Sequence, residues 1–119
     1  MKCETLDVWK RSCRLSIEVY KYFSNCKDYG FKDQITRSSL SIASNIAEGM
    51  EKESFKENIR FIDISKGSLA ELITQIYIAI EIGYLDKKIG FNWIKEINEL
   101  SKMLNSLKKR IRHSNEYSK

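Results

Sequence analysis

Apolar residues recur along this chain with the three- and four-residue spacing of an α-helix. The longest series alternates steps of four and three residues, and Lys66 is its only charged member. It consists of Phe55, Ile59, Ile62, Lys66, Leu69, Ile73, Ile76, Ile80 and Gly83. Such a series marks the buried side of a helix in a bundle or coiled coil. We therefore predict a helix over residues 54–83 that begins at a capping box formed by Ser54 and Glu57.

Shorter apolar series predict three more helices and a frayed C-terminal tail. The helices cover residues 7–26, 32–49 and 90–112, and the tail covers residues 113–119. The connections are short, and the chain contains no proline. A length of 119 residues is sufficient for one domain, 1–119, with its own hydrophobic core. The predicted fold is all-α, an up-down-up-down four-helix bundle.

The second predicted helix carries small or aliphatic residues at nearly every position between 38 and 50, and Glu48 is its only charge there. Small side chains let neighbouring helices approach the backbone closely. We expect this segment to be the central seam of the bundle, with Ala47 and Gly49, and Gly67 on the third predicted helix, as sites of close helix packing.

Polar residues interrupt the apolar surfaces of the second and third predicted helices. They are Asn45, Glu48, Ser68, Glu71 and Gln75. Buried polar groups need hydrogen-bond partners, so we predict an interhelical polar network that sets the register of the two helices. A ligand site built from the same residues is the alternative.

The third predicted helix is also more apolar than a lone bundle of this size can cover. Between Gly67 and Ile82 only Glu71 and Glu81 are charged. A helix that is apolar on most sides is typical of a buried position, and a second copy of the chain is the natural partner. We therefore expect a homo-oligomer.

Recognisable catalytic and metal-binding patterns are missing from the sequence. There is no Glu-x-x-His pair of the kind that binds di-iron sites in helical bundles, and none of the common nucleophile or phosphate-loop motifs. The cysteines at 3, 13 and 26 are widely spaced, and His113 is the only histidine. We expect reduced thiols, no metal, no cofactor, no small-molecule substrate and no enzymatic activity.

The beginning of the chain carries acids where a signal peptide has its apolar core, and no apolar run has the length of a membrane span. These features favour a cytoplasmic protein that does not enter a membrane.

The net charge of +5 is concentrated in the last third of the chain. Residues 1–85 contain twelve bases and twelve acids, whereas residues 86–119 contain nine bases and four acids. Within the last third, five bases follow one another without an intervening acid, namely Lys102, Lys108, Lys109, Arg110 and Arg112. Two or three cations near a helix C-terminus would only complement the helix dipole. Five of them favour a surface that binds nucleic-acid phosphates.

Several motifs resemble those of the 23S rRNA-intervening-sequence proteins, which are small bacterial four-helix bundles. The most specific pair is Ser-Ile-Ala-Ser-Asn-Ile-Ala-Glu-Gly at 41–49 and Gly-Ser-Leu-Ala-Glu-Leu at 67–72. The supporting motifs are Asp7-Val8-Trp9, Tyr29-Gly30-Phe31, Thr74-Gln75 and Gly83-Tyr84-Leu85. Ala43 replaces the usual proline of the family, and Ile73 replaces a frequent glutamate.

The resemblance implies a homo-oligomer, specifically a homopentamer, without established catalysis. The chain is also similar to the accessory protein of diversity-generating retroelements, a basic pentameric bundle that engages nucleic acid and a reverse transcriptase. Our leading hypothesis is a non-enzymatic oligomer that binds structured RNA or DNA through the C-terminal bases. The alternative is a protein-assembly scaffold that binds no nucleic acid.

Overall fold

The computed structural model describes residues 6–117, which form four helices and contain no β-strand. The helices are α1 (Asp7–Tyr22), α2 (Tyr29–Glu51), α3 (Phe55–Glu81) and α4 (Lys87–Tyr117). The prediction of an all-helical chain with four helices is confirmed. Cys3 and the last two residues of the predicted tail, 118–119, lie outside the described residues.

The helix ends differ from the predicted ones where a side chain or a turn caps the backbone. α1 ends at Tyr22 rather than near Cys26, because the amides of Ser24 and Cys26 bond to carbonyls in the preceding turn. α2 begins three residues early because Asp28 accepts a hydrogen bond from the amide of Phe31 at 3.2 Å and acts as the N-cap. At the start of α3, Ser54 accepts from the amide of Glu57, as predicted.

Helix α4 is longer than predicted at both ends. At its start, the Asp86 carboxylate accepts from the amide of Ile89 at 3.1 Å. At its end, the helix continues to Tyr117, so the prediction of a frayed tail is wrong for residues 113–117. No proline or glycine follows Gly90, and Ile111 packs against the core, which supports the additional turns.

Within residues 6–117, the backbone of each helix packs closely against the backbones of two others. α1 and α3 both contact α2 and α4. The end of α1 approaches the start of α4, where the amide of Asp86 donates to the Tyr22 hydroxyl at 2.9 Å. Likewise, the end of α2 approaches the start of α3, where Asn58 Nδ2 donates to the Gly49 carbonyl. The result is an elongated molecule of 53 × 22 × 20 Å.

The core consists of aliphatic and aromatic side chains from all four helices. Its fully buried members include Leu15, Phe23, Ile35, Ile42, Ile46, Ile62, Leu72, Ile76, Ile97, Leu100, Leu104 and Leu107. The members of this list that lie on α4, together with Trp93, form one buried stripe at helical spacing. The opposite side of α4 therefore faces solvent.

The small residues of α2 and α3 occupy two different environments. A Cβ added at Gly49 would lie 2.8 Å from Phe61 Cβ, so glycine is required where α2 meets α3. Ala47 is half-buried. Gly67 is exposed, and an added Cβ there would have no atom within 4 Å. The prediction that a neighbouring helix packs closely against Gly67 is therefore wrong for the single chain.

The predicted polar network is smaller in the single chain than the sequence indicates. Ser41 connects two of its members, because its Oγ lies 2.7 Å from Ser68 Oγ and accepts from Asn45 Nδ2 at 3.0 Å. Glu48 instead faces solvent near Lys52, and Glu71 is exposed on the outer side of α3. Gln75 Oε1 is buried and has no hydrogen-bond partner within residues 6–117.

Candidate nucleic-acid interface

The basic residues lie on the C-terminal half of α4, whose orientation is set by its buried stripe. Lys102 and Lys109 are seven residues apart, so two helical turns place them in line. Both are exposed, on the side of α4 opposite Leu100, Leu104 and Leu107. Arg110 and Arg112 flank this line and are exposed as well.

Four of the five predicted bases are free of ion pairs. The ion pairs within residues 6–117 involve Arg11, Arg37, Lys52, Arg60 and Lys108. No acid within residues 6–117 therefore neutralises Lys102, Lys109, Arg110 or Arg112, and we call these four residues the basic surface.

Lys108 does not belong to the basic surface. It points from α4 toward α3, its side chain is only 14% exposed, and its Nζ lies 2.5 Å from Asp63 Oδ1. Asp63 balances its charge, so Lys108 joins two helices instead of offering a free cation. The sequence could not reveal this, because Asp63 lies 45 residues away along the chain.

The structure adds Lys95 to the line of exposed lysines. Lys95 lies seven residues before Lys102, so it occupies the same side of α4, and it is exposed. The charge count overlooks it because Glu96 and Glu99 interrupt the run of bases. Glu96, however, turns toward α1 and pairs with the Arg11 guanidinium, and this hydrogen bond raises the pKa of Arg11. Helical periodicity alone would have found Lys95.

A second surface lies on the outer side of α3. It is formed by Ile64, Gly67, Ala70, Thr74, Ile78 and Ile82, all exposed, and we call it the α3 apolar face. Thr74 adds little polarity, because its hydroxyl already donates to the Ala70 carbonyl at 3.2 Å. Ile78 and Ile82 are 46% and 50% exposed, which is high for isoleucine.

Within residues 6–117, no group of three or more histidines, cysteines or acids is arranged to hold a metal ion. None of the helices in this part of the chain has the length and apolar character needed to cross a membrane.

These features define a class of protein, a small four-helix protein with a basic helix end and an uncovered apolar helix face. The chain belongs to the 23S rRNA-intervening sequence protein family, whose model matches residues 4–106. A search among curated proteins gives no match.

A solved structure shares the fold. The crystal structure of a protein with unknown function from the S23 ribosomal protein family of Bacteroides thetaiotaomicron matches with a TM-score of 0.79 and 24% sequence identity. The match covers 86% of this chain and 98% of that chain. At this identity the likeness concerns the fold alone.

The family match ends before most of the basic surface begins. Lys109, Arg110 and Arg112 lie beyond residue 106, and only Lys102 lies within the matched range. The family match therefore says nothing about this end of α4.

Proposed function

We propose that this protein is a non-enzymatic, cytoplasmic oligomer whose basic surface binds the phosphate backbone of structured RNA or DNA. The observation that carries the proposal is the set of four exposed bases on the C-terminal half of α4, none of which has an ion pair among the described residues 6–117. Each cation that contacts a phosphate releases a counterion, so binding of this kind weakens steeply with salt. The basic surface lacks aromatic side chains, which favours backbone contact with weak sequence preference over base stacking.

Titration of RNA and DNA hairpins at several salt concentrations tests this proposal. Replacing Lys102, Lys109, Arg110 and Arg112 with glutamine should flatten the dependence of log K on log salt. The matched control replaces Lys27, Lys56, Lys87 and Lys88, which are exposed and outside the basic surface, so that both variants lose the same charge. Unchanged binding by the first variant, or equal weakening by both, would contradict the proposal.

We also propose that the α3 apolar face is covered by a second copy of the chain. A suitable counterpart lies on α1 and α2, where Ile17, Tyr20 and Leu40 are exposed. Charges support this pairing: α3 carries Glu71 and Glu81 on its outer side, and α1 carries the exposed bases Lys10, Arg14 and Lys21. Two different faces that meet head to tail form a ring when the rotation closes. The family resemblance favours five copies.

The contacts between helix ends support an up-down-up-down path for the bundle. Ser16 lies 3.2 Å from Ser39, Ser65 donates to the Ile42 carbonyl, and Lys66 donates to Asn105. The partners follow one another in opposite directions along neighbouring helices. Ser65 meets Ile42, whereas the earlier Asn58 meets the later Gly49. Lys66 meets Asn105, whereas the earlier Asp63 meets the later Lys108. Antiparallel neighbours produce this arrangement.

A protein scaffold without nucleic-acid binding is the second candidate function. The observation that favours it is the α3 apolar face, because a different polypeptide could cover the same isoleucines. This candidate would be selected if the wild-type protein binds no nucleic acid at low salt but still associates with another polypeptide through the α3 apolar face.

A further inference from the structure

A cleft of about 440 Å³ lies beside the basic surface, at the end of the bundle. The connection between α2 and α3 forms one wall, and the last two turns of α4 form the other. Its lining residues are Met50, Lys52, Glu53, Phe55, Asn58, Arg110, Ile111, Ser114 and Asn115. The α4 wall begins at Arg110, beyond the part of the chain that the family model matches. The helical extension past residue 112 completes this wall with Ser114 and Asn115.

The chemistry of the lining suits a flat molecule with polar edges. Met50, Phe55 and Ile111 supply apolar surface, and Phe55 is a half-buried aromatic ring at the start of α3. The amide group of Asn58 is already oriented, because its Nδ2 donates to the Gly49 and Lys52 carbonyls at 2.6 and 2.9 Å. Its Oδ1 remains a hydrogen-bond acceptor, and Asn115 provides a second amide.

Arg110 gives the α4 wall of the cleft a cation that has no ion pair within residues 6–117. On the opposite wall, Lys52 lies 3.8 Å from the Glu48 carboxylate, and Glu53 contributes a negative charge. Arg110 also belongs to the basic surface, so a ligand in the cleft lies next to a phosphate backbone bound along α4. Apolar surface for a base, amides for its edge and a cation for its phosphate are the groups that read unpaired nucleotides.

We propose that this cleft binds a single unpaired nucleotide, at the end or in a bulge of a nucleic acid held by the basic surface. The base packs against Phe55, and Arg110 contacts the adjoining phosphate. This inference rests on the proposed function and adds what kind of nucleic acid the protein prefers: a duplex with an unpaired nucleotide over a blunt one.

Two hairpins that differ only in a one-nucleotide overhang test the proposal, by fluorescence anisotropy at low and moderate salt. Stacking of one base on an aromatic side chain changes affinity by about fivefold or more, so the wild-type protein should prefer the overhang by at least about fivefold. Phe55→Ala should remove this preference and leave blunt-hairpin affinity unchanged. Phe91→Ala is the matched control, because Phe91 is an exposed ring at the other end of α4.

The possible results separate the two proposals. Phe55→Leu keeps apolar bulk but removes the ring. The proposed nucleotide site in the cleft is supported if Phe55→Ala and Phe55→Leu both lose the preference for the overhang and Phe91→Ala retains it. Equal binding of both hairpins by the wild-type protein, or a preference that survives both Phe55 changes, overturns the cleft and leaves backbone binding intact. Failure to bind either hairpin at low salt overturns both. Circular dichroism confirms that each variant is folded.

Discussion

The outer sides of α3 and α4 both face solvent in the single chain, but their chemistry is opposite. α3 exposes isoleucines around Gly67, whereas α4 exposes a line of lysines with arginines at its end. Lysine and arginine are well hydrated, so the outer side of α4 is stable in water. Covering each exposed isoleucine on α3 would gain on the order of 1 kcal/mol. The comparison teaches that two helices of one bundle can present opposite chemistry to solvent. In our proposal, α3 takes a protein partner and α4 takes a polyanion.

Assembly should show the largest effect. We expect light scattering after gel filtration to give a mass several times the 14.0 kDa of one chain. Replacing Ile64 and Ile78 with glutamate should reduce the mass to that of one chain, because the charges cannot be buried against a partner. Ile89→Glu, at an exposed isoleucine outside the α3 apolar face, should leave the mass unchanged. A wild-type protein that is monomeric at micromolar concentration would refute the role given to α3.

Substitutions at Gly49 and Gly67 distinguish close packing within one chain from an exposed position on the α3 apolar face. Gly49→Ala should lower the free energy of unfolding by about 1–3 kcal/mol, because the new Cβ collides with Phe61. Gly67→Ala meets no atom of its own chain and should not destabilise it through a clash. Denaturant unfolding at equal protomer concentration measures both. Equal stability of the two variants would contradict the close contact of α2 and α3 at Gly49.

A matched pair of single substitutions tests which bases on α4 are available to a ligand. Lys109→Gln should change the slope of log K against log salt by about 0.9 for a DNA duplex, the value for one lost phosphate contact. Lys108→Gln should leave the slope nearly unchanged, because Asp63 already neutralises that lysine. If the two variants behave alike, the ion pair does not govern which lysines contact the phosphates.

The smallest effect concerns a hydrogen bond away from both surfaces. Tyr84 donates to Asp28 at 2.7 Å, which lowers the pKa of Asp28 below its ordinary value of 3.8 and raises the pKa of Tyr84 above 10.0. Stability from the carboxylate is present above pH 3.8 and is lost as the pH falls through the lowered pKa. Stability from the phenol is present below pH 10.0 and is lost as the pH rises through the raised pKa.

Tyr84→Phe should therefore be slightly less stable than the wild-type protein near pH 7, with the difference vanishing in strong acid. Thermal melts across this pH range measure it. The same variant should keep the assembled mass and the salt dependence of binding, since Tyr84 belongs to neither surface. A change in either would show that the α3 and α4 surfaces are not independent of this end of the bundle.

Local patterns predicted much of the fold, and the errors have identifiable causes. Trp93, Ile97 and Leu104 lie at helical spacing on α4 and are buried in the core, because side-chain periodicity follows directly from helix geometry. α4 extends beyond the predicted residue 112, because the polar residues that follow continue the helix to Tyr117. α2 begins before the predicted residue 32, because Asp28 caps its first turn.

The sequence by itself determined the four helices, the excess of bases near the C-terminus and the family. Only the tertiary structure decided which side chains are available. It paired Lys108 with Asp63, turned Gly67 outward, and placed Phe55 and Arg110 in the lining of one cleft. The physical reason is that periodicity is local, whereas ion pairing, burial and clefts depend on residues that are distant in the chain and meet only when the helices pack.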